Sequence, residues 1–155
     1  MNVPVAAGNC FIISSGDLVL DFDGYTLNNT AGVGNVIPNL FRGTAVRTSL
    51  PSGAGNIVIS DGKISHFSSG IRLSSVSNAN VSGMNISRMY YAGIELSDVS
   101  NSVFRDNIIC GYNSGIIDIR CPGGSNIGNI NENNKYDTSF ACWMWITAPG
   151  YDHAC

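Results

Sequence analysis

Charge is scarce in this sequence. Charged residues make up 12% of the chain, about half the usual share, and the eight Lys and Arg form no run. A net charge of −3 with no basic cluster excludes the electrostatic footprint of a nucleic-acid binder. No stretch of about 20 apolar residues occurs, so no helix is long enough to cross a membrane. Apolar positions never recur in an unbroken run at the 3.6-residue period, which argues against amphipathic helices. The start, Met1-Asn-Val-Pro-Val-Ala-Ala-Gly-Asn-Cys, lacks the basic region and apolar core of a secretion signal. The expectation is that a leader has been removed or that the chain is a piece of something longer. Zinc-type spacings are missing too. Cys142 with His153 and Cys155 makes a poor ligand set, so neither a metal site nor a cofactor is expected.

What is present points to short strands and tight turns. Hydrophobic residues reach 44%, too many for a disordered polar tract. Asn and Ser together outnumber all charged residues, the composition that turns between short strands require. Five cysteines (Cys10, Cys110, Cys121, Cys142 and Cys155) suggest an oxidising setting: secreted, extracellular, or on a cell or virion surface. An odd number leaves at least one thiol free or paired between chains. Two disulfides, Cys110 with Cys121 and Cys142 with Cys155, leaving Cys10 over, is one pairing among several.

A repeat organises the middle of the chain. Asn56-Ile-Val-Ile-Ser-Asp-Gly-Lys-Ile is followed by Asn78-Ala-Asn-Val-Ser-Gly-Met-Asn-Ile and then by Asn101-Ser-Val-Phe-Arg-Asp-Asn-Ile-Ile. Asn126 opens a fourth, degenerate row. Each full row later reaches a second signature: Gly70-Ile-Arg-Leu, Gly93-Ile-Glu-Leu and the looser Gly115-Ile-Ile-Asp-Ile. A fixed period of about 20–50 residues signals stacked supersecondary units. The rows predict four apolar columns: Ile59, Val81, Phe104; Ile64, Ile86, Ile109; Ile71, Ile94, Ile117; and Leu73, Leu96, Ile119. Alternation within Ile71-Arg72-Leu73 is that of a half-buried strand. Such a row cannot bury its own apolar face and must stack on its neighbours. Asn56, Asn78, Asn101 and Asn126 would form a structural ladder, since Asn tolerates left-handed turns and stacked amides can bond between rows.

The segment Asn9–Leu27, with Leu20-Asp-Phe-Asp-Gly-Tyr-Thr-Leu, and the rows ending Gly-Ile-x-Leu resemble right-handed parallel β-helix proteins. These are the pectin-lyase-like superfamily, in particular its short-repeat, NosD-like branch. The resemblance implies an all-β, single-stranded, right-handed parallel β-helix of about five to six coils of 22–23 residues. One domain would span 1–155, divided into an opening coil (1–27), an irregular coil and loop (28–55), regular coils (56–134) and a C-terminal cap or association segment (135–155). The fold does not settle activity, because that superfamily holds lyases, hydrolases, epimerases and non-enzymatic surface proteins.

Enzymes of that superfamily display charged residues outward on adjacent coils, which directs attention to Arg72, Glu95 and Asp118. Glu95 and Asp118 can be imagined as a carboxylate pair for glycoside cleavage, which needs a separation of about 5–9.5 Å; Arg72 would hold a uronate. The plainer reading is a surface charge ladder worth a few tenths of a kcal/mol. The motifs of polygalacturonase-like relatives are missing. Tyr90, Tyr91 and Tyr112 lie at corresponding turns and could bind sugar rings or pack the turns. The tail Phe140-Ala-Cys-Trp-Met-Trp-Ile146, with Cys142, Trp143, Trp145 and Cys155, suits association with another copy or a private cap. The expected function is a non-catalytic structural, self-assembly or adhesion module whose partner is itself or a surface polysaccharide. A polysaccharide-active lyase or hydrolase and a carbohydrate-binding module are the alternatives.

Overall fold

A short strand must be stopped before it can be stacked, and left-handed backbone does the stopping. Asp17, Asn56, Asn78 and Asn101 have φ of 55°, 56°, 59° and 50°, a region that Asn and Asp enter at least cost among side-chain-bearing residues. A second set of bends falls at Asp61, Gly83 and Asp106, and a third at His66 and Arg88. The computed structural model describes residues 2–3, 9–29, 43–51, 54–111, 116–118, 130–132, 135–136 and 141–142. Within them the chain forms β1 (Asn2–Val3), β2 (Phe11–Ile13), β3 (Leu18–Asp21), β4 (Thr26–Asn29), β5 (Thr44–Thr48) and β6 (Ala54–Gly55). Next come β7 (Ile57–Ser60), β8 (Lys63–Ser65), β9 (Ser69–Ser77), β10 (Asn80–Ser82), β11 (Asn85–Met89) and β12 (Ala92–Ser100). The last are β13 (Val103–Arg105), β14 (Ile108–Gly111), β15 (Ile116–Asp118), β16 (Ile130–Glu132), β17 (Lys135–Tyr136) and β18 (Ala141–Cys142).

The strands pair in parallel into three sheets. The first runs β3-β7-β10-β13-β16, the second β1-β4-β8-β11-β14-β17, and the third β2-β5-β9-β12-β15-β18, with β6 also on β9. From β3 onward the chain visits the first, second and third sheets in rotation, so one circuit is one coil. This is the parallel β-helix that the resemblance implied, built of the stacked rows the repeat predicted.

Register places like on like. Val81 pairs with Ile59 and Phe104, Ile86 with Ile64 and Ile109, and all six are fully buried. Ile71 pairs with Ile94 and Leu73 with Leu96, again fully buried. Each such side chain contributes about 1.5–3 kcal/mol by leaving water. The signature glycine has a steric cause: a Cβ on Gly70 would lie 2.6 Å from the Gly93 carbonyl oxygen and 2.7 Å from Ile86 Cγ2. Two buried polar residues replace apolar ones inside the stack. Ser102 Oγ accepts from the Ala79 amide at 2.9 Å. Asn107 accepts from the Met84 amide and donates to the Val81 carbonyl, both at 3.0 Å. These bonds satisfy backbone groups at the coil corners that would otherwise be buried unpaired.

Three expectations change. The last row slips by one: Ile94 pairs with Ile116, Glu95 with Ile117 and Leu96 with Asp118. Ile117 therefore does not extend the Ile71–Ile94 column, and Asp118 takes the register position expected for Ile119. The Gly-Ile dipeptide of the signature, not the Asn-based spacing, sets this register. The segment set apart as irregular joins the third sheet in regular register, Val46 on Ile71 and Ala54 on Val76. Likewise β17 and β18, inside the segment set apart as a tail, continue the second and third sheets.

Candidate functional site

On the third sheet the outward side chains of Arg72 and Glu95 bring opposed charges into contact. Ile12, Arg47, Arg72, Glu95 and Ile117 are successive register partners. Strand alternation sends Ile71 and Leu73 into the core and Arg72 to the opposite face; Ile94 and Leu96 do the same to Glu95. Arg72 Nη2 lies 3.0 Å from Glu95 Oε1, with side-chain exposures of 48% and 5%. Ser69 Oγ donates to Glu95 Oε2 at 3.3 Å. Burial pushes the Glu95 carboxyl above its ordinary range, against the opposing pull of the Arg72 guanidinium and the Ser69 hydroxyl.

This corrects the charge ladder in two respects. Glu95 is buried, not displayed on an open face, and Asp118 is the register partner of Leu96, so it does not stack on Glu95. The backbone register does not bring Glu95 and Asp118 into one column. Sequence reasoning missed Arg47 and Ser69. Arg47 sits where the period breaks, so no row alignment reaches it; its Nε is buried without a hydrogen-bond partner. Ser69 precedes the Gly-Ile signature and reads as a turn residue until the sheet brings it beside Glu95.

Elsewhere the expected residues fall as follows. Asn56, Asn78 and Asn101 share one turn position. Asp17 occupies the same position one coil earlier and accepts from Asn56 Nδ2 at 2.7 Å. Asn126 lies outside the described residues. Tyr90 and Tyr91 join β11 to β12, their amides donating to the Phe67 and Ser68 carbonyls at 3.0 and 2.7 Å; Tyr112 lies outside the described residues. Cys142 ends β18, whereas Trp143, Trp145 and Cys155 also lie outside. Cys10 is a free thiol, held above its ordinary pKa by burial.

A second polar cluster lies on the second sheet. Asn28 Oδ1 accepts from Ser65 Oγ at 2.9 Å and meets His66 Nδ1 at 2.9 Å; Arg88 Nη1 approaches His66 Nε2 at 3.3 Å. Asn28 Oδ1 can only accept and Arg88 can only donate, so the two contacts suit a neutral imidazole with its proton on Nδ1. Burial, followed by the Arg88 charge, lowers its pKa. Among the described residues no group of three or more His, Cys, Asp or Glu side chains is placed to hold a metal ion.

Three parallel sheets wound coil upon coil around one apolar stack define a β-solenoid. The chain belongs to the right-handed β-helix region family, which matches residues 7–148. No curated protein and no solved structure matches the chain.

Proposed function

We propose that this chain is a non-catalytic β-solenoid module with a structural, self-assembly or adhesion role, outside the cell or on a surface. The observation that carries this reading is the state of Glu95. Its carboxylate is enclosed, paired with Arg72 and bonded by Ser69, and its next register partner is Ile117 instead of a second acid. Two-carboxylate glycoside cleavage needs both groups open to a sugar at about 5–9.5 Å. A low charge content and five cysteines support the location.

Incubation of the full chain with a panel of acidic and neutral polysaccharides tests the proposal, with no reducing sugar or unsaturated product expected. Turnover that disappears in Glu95→Gln would promote the Arg72–Glu95 pair to an active site. One observation favours that second reading, a polysaccharide-active enzyme: a carboxyl whose pKa burial raises is suited to general acid work, and Arg72 stands beside it with Arg47 next in the column.

A further inference from the structure

Two guanidiniums stand side by side on the outward face of the third sheet, and only one of them is neutralised. Arg47 on β5 and Arg72 on β9 are direct register partners. Their backbones therefore lie about 4.8 Å apart, and like charges placed opposite each other repel. Arg72 meets Glu95 through Nη2 at 3.0 Å and keeps 48% of its side chain exposed, so the other donors of its fork remain open. Arg47 is half-buried and its Nε is enclosed without a hydrogen-bond partner. Among the described residues it forms no ion pair either. Two guanidiniums against the one Glu95 carboxylate leave one positive charge of the column unmatched. An unanswered donor and adjacent like charges are both unfavourable, and a single bound anion relieves the repulsion.

Resting on the adhesion reading above, we propose that Arg47 and Arg72 together bracket a sulfate ester of a surface polysaccharide. Donor and acceptor counts select a tetrahedral anion. A carboxylate presents only a pair of oxygens, which a single guanidinium fork takes up. A sulfate ester presents a further oxygen and can meet both forks. Its single negative charge equals the excess of the column, whereas a phosphate monoester carries about −1.5 to −2. The two ends of the column limit the site to one anion. Beyond Arg72 the Glu95 carboxylate repels a second one. Beyond Arg47 the next register partner is Ile12, uncharged and 56% exposed, over which the carbon skeleton of the sugar can leave. Sparse sulfation suits such a site, and the net charge of −3 on the chain disfavours a densely charged polymer at long range.

Isothermal titration calorimetry of the full chain with a sulfated oligosaccharide, its desulfated counterpart and an oligouronate of equal length tests the site. The sulfated sugar should bind, the desulfated one should not, and the oligouronate should bind more weakly. Arg47→Met should weaken binding at least about tenfold, the loss of one charge-assisted contact, with an unchanged circular dichroism spectrum. Glu95→Gln removes the competing carboxylate and should tighten binding about two- to fivefold, a gain that a merely structural role would not produce. If Arg47→Met fails to fold, Arg47→Lys keeps the charge without the fork and should still weaken binding. Binding that survives the Arg47 substitution overturns the proposal. An oligouronate that binds as tightly as the sulfated sugar overturns the tetrahedral assignment. A wild-type chain that binds no sulfated sugar overturns the site altogether; if that chain also releases no product from polysaccharides, the non-catalytic reading stands and only the site is removed.

Discussion

Breaking the Arg72–Glu95 pair from its two sides should have unequal consequences. Glu95→Gln leaves behind a guanidinium that is already half in water, so its cost should stay within about 1 kcal/mol. Arg72→Met leaves a carboxylate with 5% of its side chain exposed and Ser69 as its hydrogen-bond donor. An uncompensated buried charge of this kind costs about 3–5 kcal/mol. At about 2–4 °C per kcal/mol for a chain of this length, the lower figure is a fall of roughly 6–12 °C in Tm. The pH dependence has a definite sign. Because burial raises the folded pKa of Glu95, its stabilising contribution is fully present below the unfolded pKa of about 4.3 and is lost as pH rises through the folded value. Arg72→Met removes an attraction that lowers that pKa, which widens the window. Its deficit should therefore be large at neutral pH and shrink as pH falls toward about 4. Calorimetry of both variants at neutral and acid pH measures this. Equal losses in the two variants, or an Arg72→Met deficit indifferent to pH, would refute the reasoning.

In the core, Ile86→Ala should cost about 2–5 kcal/mol, and Ile86→Asp should abolish cooperative melting, since Ile86 sits fully buried between Ile64 and Ile109; a soluble, cooperatively melting Asp variant contradicts the register. At Asn78, where φ is 59°, replacement by Ala should cost about 1–2 kcal/mol, while Gly should be nearly neutral; urea titration of the pair separates backbone strain from lost side-chain contacts. The lowered pKa of His66 means that its contribution is present above the unfolded value of about 6.5 and is lost as pH falls through the folded value. Melting curves of His66→Asn should lose the pH slope just below that point, and an unchanged slope would mean that another group carries it.

Much of this architecture was legible in the residues because a solenoid repeats its instructions. Asn56, Asn78 and Asn101 mark the same left-handed turn, and the isoleucines that follow them pair as their spacing requires. Legibility ended where repetition did. Asp17 performs the same turn with a different side chain, and residues 44–48 form a regular third-sheet strand inside a segment with no visible period.

The sequence by itself determined that the chain stacks coils, which apolar columns lie inside, and that Arg72 and Glu95 are neighbours, because parallel pairing at a near-constant period turns spacing directly into contact. Only the tertiary structure decided the rest. A one-residue change of period is small in sequence, but alternation makes it exchange the two faces of a strand, and here it pairs Glu95 with Ile117 in place of Asp118. Whether an outward carboxylate is exposed depends on what lies over it, which no spacing encodes; Glu95 is enclosed.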